Sequence, residues 1–156
     1  MRCARGPEAM ELMGYRRPDG RVGIRNHVIV VSTVLCSSTV VQAIARATGA
    51  VPVTHEGGCL ELGPGREHTE RVLRGVVSHP NVGGVLVVGL GCEQVSAEAL
   101  AGATGGRPAR ALEIRKAGGT EAATEQGIAL ARDLLVKAAR AAREPAHLRE
   151  LTLATQ

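Results

Sequence analysis

Four short aliphatic runs, each followed by a stretch with helical spacing, do most to limit what this chain can become. His27 to Thr33 is β-branched and predicts a first strand over 27–33. Val51 to Thr54 predicts a second, and Pro52 puts it at a sheet edge or at a strand's first position. Val85 to Val88 predicts a third, apolar throughout and therefore central. Ala109 to Ile114 predicts a fourth. Ser38 can cap a first helix with Val40, Val41, Ile44 and Ala45 on one face, and Gly49 stops it. A second helix is expected over 66–78, with Val72, Leu73, Val76 and Val77 inward and His79-Pro80-Asn81 as the stop. A weaker one runs from Ser96 to Ala103. A long one runs from Gly118-Gly119-Thr120 to about Arg143, where Pro145 ends it. Its stripe is Ile128, Ala131, Leu134, Leu135, Ala138, Ala139 and Ala142. Such alternation predicts right-handed crossovers and a parallel sheet. The expected fold class is α/β: a small three-layer α/β/α sandwich, mainly parallel and four-stranded, flavodoxin- or Rossmann-like, in strand order 2-1-3-4. Residues 1–13 read as a flexible lead-in, 14–150 as one domain and 151–156 as a tail.

Composition agrees with that outline. The 156 residues make one domain's worth of chain, and Tyr15 is the only aromatic. Val, Leu, Ile and Ala must fill the interior, and nucleic-acid binding through base stacking has little to use. The formal charge of +4 is scattered, and its densest spots are Arg16-Arg17 and Arg140 to Arg143. That reads as a solvated surface with mild attraction for small anions. No run reaches the roughly 18 apolar residues of a membrane helix, and no apolar leader is evident. The expectation is a cytoplasmic protein with its four cysteines reduced, which favours burial, metal binding or catalysis over disulfides.

Ligands of open parallel sheets bind beyond the strands' carboxyl ends. The first strand leads to Cys36-Ser37, the second to His55 and Cys59, the third to Cys92-Glu93, the fourth to Gly118-Gly119-Thr120. Three thiols, one imidazole and one carboxylate are therefore expected along one edge. Thiolates and imidazole suit iron or zinc, and three ligands with an open position would make a Lewis-acid site. A carboxylate or free imidazole beside it could move a proton. Against this stands the ordinary role of free cysteine as a small buried hydrophobe. Cys3, His27, His68, His79 and His147 carry no assigned role. Gly118-Gly119-Thr120 offers backbone N–H groups to an anion, or only shapes a turn and caps a helix. Gly89-Leu90-Gly91 is not a dinucleotide fingerprint, because Gln94 stands where the last glycine belongs.

Gly14-Tyr15-Arg16-Arg17-Pro18-Asp19-Gly20-Arg21-Val22-Gly23-Ile24-Arg25-Asn26 resembles the opening of the second domain of the altronate and galactarate dehydratases. Cys36-Ser37, the His55 to Cys59 segment, His79 through Glu93 and Gly118-Gly119-Thr120 resemble the same family. So does the large subunit of sulfolactate sulfo-lyase. The resemblance covers roughly residues 14–150. It implies a hydro-lyase: a proton leaves the carbon next to a carboxylate, the β-hydroxyl departs, and the enol becomes a 2-keto acid. It implies a divalent metal, Fe2+ or Mn2+, with an iron–sulfur cluster as the alternative. Carried over by position, His55 and Glu93 would be catalytic and Cys36, Cys59 and Cys92 would bind metal. Arg25, Asn26, Ser37, Gly118, Gly119 and Thr120 would hold a sugar acid. Arg115-Lys116 departs from the pattern, where a glutamine-containing pair is expected. The family carries further domains, so a separate catalytic subunit is an expected partner. Apolar surface freed of those domains predicts a homodimer. The opposing reading is a non-catalytic module that binds metal or sugar acid, or an isolated structural domain of that family.

Overall fold

The computed structural model describes residues 11–59 and 62–152. Its central sheet is parallel, in the order β4(Val51–Val53), β3(His27–Ser32), β5(Val82–Gly89), β6(Ala109–Glu113). In chain order this is the expected 2-1-3-4. Every residue of β5 is buried, as its unbroken apolar run requires.

The two faces separate by alternation along β3 and β5. Val28, Val30, Leu86 and Val88 pack against α1(Ser38–Thr48) and α5(Thr120–Ala139) through Val41, Ile44, Ala131 and Leu134. Ile29, Val31, Val85 and Val87 pack against α2(Pro64–Val77) and α3(Ala97–Ala101) through Leu73, Val77 and Leu100. The result is a three-layer α/β/α sandwich. Gly49 ends α1 in the left-handed conformation (φ 77°), and its N–H bonds Ala45 O at 2.8 Å.

Several expectations are corrected. Residues 11–13 are not a loose lead-in: β1(Glu11–Arg16) pairs antiparallel with β2(Val22–Gly23) and with β7(Glu144–His147). Residues 1–10 and 153–156 lie outside the described residues. The long helix stops at Ala139, so Ala139 and Ala142 are exposed and Pro145 sits in a strand opposite Met13. Val72 is 48% exposed, at the rim of a cleft beside the three-residue edge strand β4, which is too short to cover it. Ser38 is the first residue of α1 and caps nothing.

The small sheet is stapled to the sandwich by the Gly14–Asn26 stretch. The buried Arg17 donates from Nε to Pro80 O (2.7 Å), from Nη1 to Asn26 Oδ1 (2.8 Å) and from Nη2 to Arg25 O (2.8 Å). Asn26 Nδ2 donates to Ala138 O (2.7 Å) at the end of α5. Tyr15 lies between the guanidinium groups of Arg17 and Arg143, at 5.4 and 5.3 Å.

Candidate active site

The exits of β3, β4, β5 and β6 meet along the carboxyl edge of the parallel sheet. From β3 the chain passes Thr33 and Val34 into a 3-10 turn, Leu35–Ser37, that carries the exposed thiol of Cys36. Ser37 is fully buried, and its hydroxyl lies 2.9 Å from both Val34 O and Val88 O. It is spent inside the fold and cannot meet a substrate. The neighbouring Ser38 has a buried hydroxyl without a hydrogen-bond partner among the described residues.

The β4 exit lies directly against the β3 exit. Leu35 N–H bonds Gly57 O at 3.0 Å. Gly58 backs onto the Thr33 carbonyl so closely that any Cβ would strike it. His55 turns back over this loop, where its Nδ1 accepts the Gly57 N–H at 3.2 Å. In the neutral ring the proton therefore sits on Nε2. That Nε2 is buried and unpartnered among the described residues, an N–H donor left over at the sheet edge. Cys59 is exposed.

At the β5 exit, Glu93 folds back onto its own loop. Its Oε2 accepts the N–H groups of Leu90 (3.2 Å), Gly91 (2.6 Å) and Cys92 (3.0 Å). Its Oε1 accepts the Thr33 hydroxyl at 2.8 Å. Burial pushes this carboxyl up, but the backbone N–H groups and Thr33 outweigh burial and hold it below the ordinary glutamate value. Cys92 beside it is exposed.

From β6, Glu113 leads into α4(Ile114–Ala117) and then Gly118 and Gly119. Arg115 N–H reaches Leu90 O at 3.3 Å, which ties this exit to that of β5. Lys116 Nζ lies 2.6 Å from Glu113 and 3.8 Å from Glu98. A cleft of about 240 Å³ lined by Gly91, Glu93, Ser96, Glu98, Glu113 and Lys116 opens there. Gly119, not Thr120, holds the cap position of α5, and Thr120 is an exposed first helical residue.

Cys36, Ser37, His55, Cys59, Cys92, Glu93 and the Gly118–Thr120 turn thus belong to one edge. Arg25 and Asn26 do not. They precede β3, so they stand at its amino end, roughly 20 Å away by the rise of six strand residues. Asn26 is occupied with Arg17 and Ala138, and Arg25 is exposed. Two larger apolar clefts, about 490 and 580 Å³, also lie toward the amino ends and share His79 and Asn81. Their only groups of the types described above are the imidazoles of His27 and His79, with no thiol or carboxylate in the lining. Sequence reasoning missed Thr33 and Ser38. Thr33 was read only as a strand end, although a polar residue at that place is the kind that bonds a neighbouring exit loop.

Among the described residues the donor set does not fit a metal ion. Among the described residues no three His, Cys, Asp or Glu side chains gather closely enough to hold an ion. Cys36, Cys59 and Cys92 are three separate exposed thiols. A proton on His55 Nε2 also leaves no lone pair there for a ligand bond.

The family profile described as "D-galactarate dehydratase/Altronate hydrolase, second domain" matches residues 14–139. The chain belongs to this family. The matched stretch holds the Arg17 staple and all four sheet-edge exits. An altronate dehydratase of Bacillus subtilis is 40% identical over 91 residues, covering 51% of this chain and 18% of that protein. An altronate dehydratase of Escherichia coli is 38% identical over 94 residues, covering 53% and 19%. The (2R)-sulfolactate sulfo-lyase subunit beta of Chromohalobacter salexigens is 40% identical over 79 residues, covering 50% and 20%. The chain spans about a fifth of the length of these relatives. No solved structure matches it.

Proposed function

We propose that this chain is one domain or subunit of a hydro-lyase that dehydrates a sugar acid such as altronate or galactarate to a 2-keto-3-deoxy acid. The observation that carries the proposal is the family match over residues 14–139, which encloses the whole edge bearing His55, Glu93 and the three thiols. Removal of water from a hydroxy acid needs a group that moves a proton and donors that stabilise the enolate. His55 is the proton-moving group in this reading. Its Nε2–H is buried and faces no acceptor of its own chain among the described residues, a donor left without a partner at the edge where the substrate is placed in this reading. Glu93 stands on the same sheet edge at the β5 exit, and the Gly118–Thr120 turn presents backbone N–H groups to an anionic oxygen. Arg25, Asn26 and Ser37 take no part, because the first two stand at the other edge and the third is sealed in the core.

The rest of the reaction centre, including any divalent metal ligands, comes from the further domains of such a hydro-lyase, on this polypeptide or on another. The support is the share of the relatives that this chain spans, 18 to 20%. The same fact favours a second reading, a module that binds a sugar acid without turning it over. The two separate on mixing the chain with a polypeptide holding the remainder of the Bacillus subtilis relative. Appearance of 2-keto acid from altronate in the mixture alone supports the first. Altronate binding by the chain without product in any mixture supports the second.

A further inference from the structure

Glu93 joins more than its own loop. Three consecutive N–H groups hold its Oε2 in the β5 exit, at 2.6 to 3.2 Å. Its Oε1 reaches across to the β3 exit through the Thr33 hydroxyl. Thr33 is 0% exposed, and its own N–H is bonded to Val88 O at 3.1 Å. The β4 exit leans on the same residue through Gly58, and Leu35 N–H to Gly57 O closes the contact. Space for the carboxylate is reserved: a Cβ on Gly89 would strike Oε1. A convergence of successive backbone N–H groups is an anion cradle, and here the chain fills it with its own anion.

A group that transfers protons must have an oxygen or nitrogen left free to meet the substrate. Glu93 lines the cleft, but both its oxygens are already committed to donors of its own chain, four contacts that tie two exits together. We propose that Glu93 is a positioning residue, oriented by Thr33, which holds the exits of β3, β4 and β5 in one arrangement and does not itself move a proton. The proposal rests on the reading that the reaction centre lies along this edge, and it narrows the roles there. Proton transfer falls to His55, and Glu93 fixes where Cys92 and the neighbouring loops stand. The other charged groups on this cleft are Glu98, Glu113 and Lys116, and Lys116 is already paired with both acids.

The test follows Glu93 in the full chain by carbon-detected NMR of its carboxyl across pH, in wild type, Thr33→Val and Thr33→Ser. The wild-type midpoint should fall below that of a free glutamate. Thr33→Val, which keeps the shape and removes the hydroxyl, should move it up, and Thr33→Ser should restore it. In parallel, Glu93→Ala should raise the rate of Cys92 alkylation by iodoacetamide several-fold, read by mass spectrometry. If that variant does not fold, Thr33→Val carries the test through the same two readouts. A Cys92 rate unchanged in Glu93→Ala would overturn the proposal, as would Thr33→Val with an unchanged midpoint and an unchanged Cys92 rate. Neither readout depends on turnover, so failure of the hydro-lyase reading would leave these results intact, and the reverse holds as well.

Discussion

Arg17→Ala should destabilise the domain by about 3–5 kcal/mol, because it leaves three oxygens without their donor at about 1–3 kcal/mol each where they stay buried. The magnitude comes from three contacts at 2.7, 2.8 and 2.8 Å, to Pro80 O, Asn26 Oδ1 and Arg25 O, by a side chain that is 7% exposed. Hydrogen bonds to a charged group contribute about 1.5–3 kcal/mol each, so a bare sum would reach roughly 4.5–9 kcal/mol. Water entering beside the exposed Arg25 recovers part of that. In a domain of this size each kcal/mol shifts Tm by about 2–4 °C, so the loss should be roughly 6–20 °C. The assay is circular dichroism on heating, because the chain has no tryptophan to report by fluorescence. Arg17→Lys should fall between, since a point donor can serve one acceptor and not three in a fixed fork. Arg17→Ala with Asn26→Ala should cost less than the sum of the two. A loss under about 2 °C for Arg17→Ala would refute the claim that this stretch is a structural staple.

Asp19 gives a pH signature. Hydrogen bonding by Arg21 at 2.8 and 3.1 Å, with Arg107 at 3.1 Å, holds its carboxyl down at about 2, from 3.8. A depressed carboxyl stabilises above its unfolded value and loses that contribution as pH falls through the folded one. Urea midpoints should therefore drop between pH of about 4 and about 2 in wild type, and less in Asp19→Asn, which starts lower at neutral pH. Metal content of the isolated chain, measured after purification without air, should be unchanged in Cys36→Ser, Cys59→Ser and Cys92→Ser, because the thiols do not form a set. Loss of stoichiometric iron or manganese in any of them would contradict that. Self-association should appear on sedimentation at micromolar concentration, with Val72→Asp weakening it. Val72 at 48% and Val51 at 40% exposure share one cleft, and apolar patches of that kind are seldom left bare.

The central sandwich was legible because its signals are local. Val28 to Val31 and Val85 to Val88 are aliphatic runs that alternate between two cores, and each is followed by helical spacing. The three-stranded sheet was not legible. Glu11 pairs with His147 across most of the chain, and that sheet's partner strands carry glycine or proline, so neither propensity nor period announced them. Met13 and Pro145 find their conformation in each other and not in their own sequence neighbourhood. At the edge, the order of residues told which side chains follow a strand, and His55, Cys59 and Glu93 stand there. The same order shows that Arg25 and Asn26 precede β3, which a family motif read as a unit conceals. Ser37 is buried because the 3-10 turn carries it inward, a turn that no pattern in the sequence marks. Glu93 looked like an acid–base group by type and became an anchor by its four bonds.

The measurement that tests the account most directly is dehydration by a chimera. Residues 14–139 of this chain would replace the corresponding segment of the altronate dehydratase of Bacillus subtilis, 40% identical where the two align. Production of 2-keto-3-deoxy acid from altronate would be followed in the parent, the chimera and the chimera with His55→Ala. The account predicts turnover by the chimera and its loss with His55→Ala, with the fold intact by circular dichroism. A folded chimera without activity beside an active parent would contradict it, and so would undiminished turnover with His55→Ala.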